Sequence, residues 1–178
     1  MLKSKKNSVA MLFGLLVSAF ITPVQAHEPR DGVANGAYNI SVGNRVEPAY
    51  AGEPNAFDLI IRNADDTAAD VQEIEIDVVI LFLKEDAIDA KVKRKAKLMD
   101  DLRRDRSQPN RFNISYLPTK AGAYGYHVKG MIDGNMLDEV FVCRGGSQNP
   151  EGRSFSCINK IQKFPNGKKN KSDDDDDD

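Results

Sequence analysis

The chain has 178 residues, with 25 basic and 27 acidic side chains, two histidines, two cysteines, no tryptophan and a formal net charge of −2. That length suits one ordinary domain with a real hydrophobic core. The charge balance lacks the basic surplus that a nucleic-acid partner would select, so no such partner is expected.

At the N-terminus, Lys3, Lys5 and Lys6 precede an apolar run over residues 9–21, followed by Pro23 and Val24-Gln25-Ala26. A positive flank, a short apolar stretch and a small-residue site predict a secretory signal peptide over residues 1–26, cut after Ala26. A spanning helix needs about 18 to 20 apolar residues, whereas this run is shorter and holds Gly14 and Ser18. A membrane is therefore implicated only if the segment stays attached as an anchor. Cleavage removes three lysines, leaving 22 basic against 27 acidic side chains and a net charge of −5. The mature chain is expected to be periplasmic or secreted.

Residues 27–36 are rich in Glu, Pro, Arg, Asp and Gly. With almost nothing apolar to bury, they predict an exposed N-terminal arm. Residues 37–46 alternate Tyr38, Ile40 and Val42 against Asn39 and Ser41, the period of a half-buried strand. Phe57, Leu59 and Ile61 repeat that pattern over residues 56–62, and residues 63–67, NADDT, form a turn by composition. Residues 71–84 begin as strict alternation and become continuously apolar from Val79 to Leu83, as expected of a strand covered on both faces. Over residues 85–106 a helical stripe (Ile88, Val92, Met99, Leu102) competes with lysine alternation at positions 91, 93, 95 and 97. The alternation favours a strand whose lysines blunt a sheet edge.

The stretch 111–141 carries the clearest signals. Phe112, Ile114 and Tyr116 alternate with polar residues, and residues 118–122 turn the chain. Tyr124, Tyr126, Val128 and Ile132 then share one face, leaving His127, Lys129 and Met131 on the other. Asp133-Gly134 is the pair that a type I′ hairpin requires, because both central residues take positive φ. Beyond a loop, Phe155, Ile158, Ile161 and Phe164 form a short apolar segment. Cys143 and Cys157 in an exported chain are read as a disulfide holding that segment against the domain. Residues 165–178 end in six aspartates and predict a disordered acidic tail. Consecutive carboxylates without interleaved glycines are not a calcium loop.

About seven alternating strands separated by turns predict an all-β fold, an immunoglobulin-like antiparallel β-sandwich over residues 37–164. Tyr124, opening a late strand after a proline-containing turn, resembles the tyrosine corner of such domains, and Tyr126 stands where antibody domains carry a cysteine. The residues Ala26-His27-Glu28, Glu47-Pro48-Ala49-Tyr50, Gly52-Glu53-Pro54-Asn55, PTKAGAYGYHVKGMIDG from Pro118 and Asp138-Glu139-Val140-Phe141 resemble a family of small exported microbial proteins. That resemblance implies an Ig-like sandwich of unestablished function. Its members more often carry glycine-rich turns where this chain has residues 91–106.

The candidate chemistry centres on the histidines. Cleavage after Ala26 would give His27 a free α-amine beside its imidazole, and His127 could complete a three-nitrogen histidine brace for copper. Small exported β-sandwiches that resemble this one in architecture include copper carriers with an N-terminal histidine. Glu28, Met131 and Asp133 are candidate weak further ligands. No constellation of acid, base and nucleophile stands out, and an enzyme is not expected. The leading expectation is a non-enzymatic Ig-like binding module that meets an envelope protein or surface component through its loops or edge strands. The alternative is a copper carrier using His27 and His127.

Overall fold

A computed structural model describes residues 27–87, 89–145 and 154–161. The expected signal peptide and acidic tail lie outside these residues, as do Ile88 and Phe164. Among the described residues nine strands form: β1 (His27–Gly32), β2 (Tyr38–Asn44), β3 (Asn55–Asn63), β4 (Ile74–Leu83), β5 (Val92–Lys97), β6 (Arg103–Arg104), β7 (Arg111–Tyr116), β8 (Tyr124–Ile132) and β9 (Asn135–Val142). They pair antiparallel in two sheets, ordered β1-β2-β3-β7-β6 and β5-β4-β8-β9. Leaving β1 aside, this is the ABED and C′CFG arrangement of an immunoglobulin-like sandwich.

The period-two pattern builds the interior. Ile40, Val42, Phe57, Leu59, Ile61, Phe112 and Ile114 from one sheet meet Val78, Tyr126, Val128, Ile132, Leu137 and Phe141 from the other. The Tyr126 ring packs edge-on to Phe57 at 5.1 Å and tilted against Phe155 at 5.3 Å. The continuously apolar half of β4 is covered on its outer side as well, where Leu81, Leu83 and Val142 form a second small cluster. Asp133 and Gly134 take φ of 45° and 75°, as the hairpin between β8 and β9 demands. Gly130 is fixed by a close approach, since an added Cβ would lie 1.9 Å from the Glu75 carbonyl.

One expectation is corrected. Residues 27–36 are not an exposed arm, because His27–Gly32 pairs along the outer edge of β2 and Val33 and Ala34 are buried. The strand forms without apolar alternation because its long polar side chains find partners on the opposite sheet. The Glu28 carboxylate accepts the Val142 amide at 3.0 Å, and the Arg30 guanidinium sits 5.2 Å over the Phe141 ring. With β1 and the two-residue β6, the expected sandwich of about seven strands has nine among the described residues.

The tyrosine corner is present, with the Tyr124 hydroxyl donating to the Lys120 carbonyl at 2.8 Å. The Cys143–Cys157 disulfide is formed and holds a segment in which Phe155 and Ile158 are buried, while Ile161 is half exposed. Bridges Gly122↔Ile158 and Arg144↔Ser156 tie that segment to the sandwich. Replacing both cysteines by serine should lower stability by about 3 kcal/mol in the chain-entropy account of a loop this size. Urea unfolding under oxidising conditions measures it, and an unchanged midpoint would mean that packing alone holds the segment.

Candidate functional site

The two histidines lie on the outer faces of different sheets. His27 starts β1 in register with Gly43, beside Asp58 on the solvent side of the five-stranded sheet. His127 lies between the core residues Tyr126 and Val128 and faces away from the interior of the four-stranded sheet. The structure thus does not bring these imidazoles together. Each has a carboxylate instead: His27 Nε2 is 2.7 Å from Asp58 and His127 Nε2 is 2.6 Å from Asp138. Glu28 holds Arg30 and the Val142 amide, Asp133 accepts from Tyr38 and the amides of Gln72 and Glu73, and Met131 is exposed. Among the described residues no group of three or more His, Cys, Asp or Glu side chains could hold a metal ion.

The His27 contact belongs to a cluster that alternation alone could not reveal. Asp58 alternates with Phe57 and Leu59 and so turns outward, yet its side chain is fully buried. Arg111 binds it at 2.5 to 2.9 Å and Arg45 at 3.3 Å, with Arg45 also paired to Asp105. Burial pushes the Asp58 carboxyl up, but the hydrogen bonds and charges of His27 and Arg111 outweigh it and hold the group below the usual carboxylate range. Its partners come from β1, the 45–54 connection and β7, so no local motif marks the site.

A second polar network lies inside one end of the sandwich. The Asn44 carbonyl oxygen accepts the Tyr126 hydroxyl at 2.6 Å and the Tyr116 hydroxyl at 3.0 Å. Its amide donates to Glu47 and to the Ser156 carbonyl at 2.9 and 3.0 Å, and Glu47 also accepts the Ser156 amide and hydroxyl. Burial pushes the Glu47 carboxyl up to about 7 against the opposing pull of Asn44 and Ser156. The residue pair Asn44 and Glu47, three positions apart around a strand end, is the only local trace of this network in the sequence.

The third feature is β5, which the lysine alternation does reveal. It is the edge of the four-stranded sheet, and all six of its residues are exposed. Lys97 pairs with Asp77 at 2.6 Å, and Lys93 lies 5.6 Å over the Phe82 ring. Among the described residues, Arg94 and Lys95 have no ion pair.

The buried Asp58 and the half-buried Glu47 carboxyls give opposite pH dependences. Folding favours ionised Asp58, so its contribution is complete above the ordinary carboxylate pKa of about 4 and is lost as pH falls through the depressed folded value. Folding favours protonated Glu47, so its contribution is complete in acid and is lost as pH rises toward and through about 7. Stability from urea unfolding should therefore decline on both sides of roughly pH 5. Glu47→Gln should flatten the limb between pH 5 and 7.5, and Asp58→Asn should flatten the acid limb while costing about 3 kcal/mol at neutral pH by leaving Arg111 without its charged partner. A Glu47→Gln profile parallel to wild type would contradict the assignment. The sequence matches no protein-family model and no curated protein.

Proposed function

We propose that the protein is an exported, non-enzymatic immunoglobulin-like binding module of the periplasm or cell envelope, engaging a protein or surface component through its β5 edge. The observation that carries this reading is a fully exposed strand whose cations are only partly committed to partners within the fold. Sheet edges are ready templates for another chain, and immunoglobulin-like sandwiches are rigid frames that present such edges and loops. The opposite edge of the same sheet differs, because β9 is met by Glu28 and Arg30 from β1. The Cys143–Cys157 disulfide fits an oxidising compartment.

Site-directed photo-crosslinking in the native compartment tests the reading. A photoreactive residue at Ala96, on β5, should give an adduct of one defined mass, while the same residue at Met136, exposed on β9, should not. Equal adduct patterns at both positions, or none at Ala96, would remove β5 as the binding surface. Intact-mass analysis of the exported protein should place its N-terminus at His27.

A further inference from the structure

We infer that the β5 edge receives an extended peptide strand that alternates acidic and apolar residues, an inference that rests on the binding-module reading above. It follows from three properties of the same edge. The first is its backbone. Leu98 donates its amide to the Val78 carbonyl at 2.8 Å, and Ala96 and Arg94 lie in register with Ile80 and Phe82. Antiparallel bonding alternates along a strand, so Ala96 and Arg94 turn their backbone groups toward β4 while Lys95 and Lys97 turn theirs outward. Among the described residues neither Lys95 nor Lys97 makes a backbone hydrogen bond outside the sheet.

The second property is the outer face. Lys95 and Lys97 are in register with Leu81 and Val79, which place their side chains beside those two residues and His127 on the outside of the sheet. Successive residues on one face are about 6.8 Å apart, and an added strand has the same repeat. Carboxylates at every second position of that strand would stand opposite both lysines, within the reach of cross-strand pairs. Lys95 has no acidic partner among the described residues, and the Lys97–Asp77 pair is more than half exposed on both sides and open to exchange.

The third property is the inner face. Beneath Ala96, between β5 and the chain after β7, opens a recess of about 370 Å³ whose lining is mainly apolar, with Ile80, Phe82, Leu98 and Leu117 beside Tyr116 and Tyr124, and also takes in Arg94, Lys95 and Lys120. Leu117 is 54% exposed there. The intervening residue of an added strand would point into this recess, so an apolar side chain is favoured at that position. Each property alone admits other ligands: an anionic membrane satisfies only the lysines, and a second copy of β5 would set lysine against lysine. The aspartate run at residues 173–178 offers carboxylates but no apolar side chain for the hydrocarbon part of the recess. Only a strand with acidic and apolar residues in alternation satisfies all three.

Titration of the full exported protein with an acetylated Glu-Val-Glu-Val-Glu peptide, followed by calorimetry or fluorescence anisotropy, tests this. Binding should be one to one. It should weaken at least about tenfold with penta-aspartate, with the peptide N-methylated at alternate amides, and in the Lys95→Glu/Lys97→Glu variant, each of which removes one of the three contacts. Lys95→Glu alone leaves the Lys97–Asp77 pair intact and serves if the double variant unfolds. Equal affinity for penta-aspartate, or for vesicles containing phosphatidylglycerol, would reduce the edge to a simple cationic surface and overturn the inference. So would unchanged binding by the variants, or no binding of the peptide. A crosslink at Ala96 without peptide binding would sink this inference alone, whereas loss of the Ala96 crosslink would sink the binding-module reading with it.

Discussion

The structure depends on how Tyr126 is satisfied. This residue fills the centre of the sandwich, fully buried, at the position where antibody domains place a cysteine of the inter-sheet disulfide. A phenol there brings a hydroxyl that water cannot reach, and leaving it unpaired would cost roughly 1–3 kcal/mol. Asn44, from the opposite sheet, accepts it, and also accepts Tyr116. The covalent inter-sheet link of antibody domains is thus replaced by a hydrogen bond across the same gap. Its own disulfide serves elsewhere, bringing Ser156 to Glu47 and Phe155 against the Tyr126 ring. No buried side-chain nitrogen or oxygen lacks a partner among the described residues. That completeness lets a polar hub sit in a low-dielectric core, because a half-satisfied network there would be worse than an apolar one.

The same need to satisfy polar groups explains β1. A segment reading HEPRDG has no apolar face to drive it onto a sheet, yet it is held by polar contacts in two directions. Outward, His27 joins Arg45 and Arg111 around Asp58; inward, Glu28 and Arg30 reach β9 across the edge of the sandwich. The outer face of the five-stranded sheet is therefore partly a second interior, built from charge instead of hydrocarbon. Such a cluster adds specificity of position more than net stability, since the desolvation of Asp58 offsets much of its Coulombic gain.

What the sequence disclosed follows from the range of the signal. Alternation is local, and it located the strands around Ile40, Leu59, Ile76 and Val128, the lysine-bearing edge, the Asp133-Gly134 turn and the side on which His127 lies. The cysteine pair is legible because two thiols with neither CxxC spacing nor a neighbouring histidine have few uses besides a disulfide. Asp58 was not legible as a buried charge, because alternation assigns it only to a face, and its cover comes from Arg45 and Arg111, far apart in the chain. The histidines show the same limit. Each could be placed on a strand face or at a terminus, but whether two faces belong to one sheet is a matter of strand order, which alternation does not encode. Residues 27–36 form a strand that apolar content alone does not predict, because β1 is bound by carboxylates and guanidinium groups.

Strand order also decides which charges can meet a partner. Among the described residues, five arginines are committed internally: Arg45 and Arg111 to Asp58, Arg30 to Glu28, Arg104 to backbone carbonyls and the Phe112 ring, Arg144 to the Asp86 carbonyl. A planar guanidinium with five donors suits such fixed, many-bonded positions. The β5 edge is furnished mainly with lysines, whose flexible stems and hydrated ammonium groups hold no single geometry. Lysines on an edge repel an identical edge, which keeps copies of the protein from adding strand to strand. Because that repulsion acts only between like charges, the feature that protects the edge from itself leaves it open to an acidic strand.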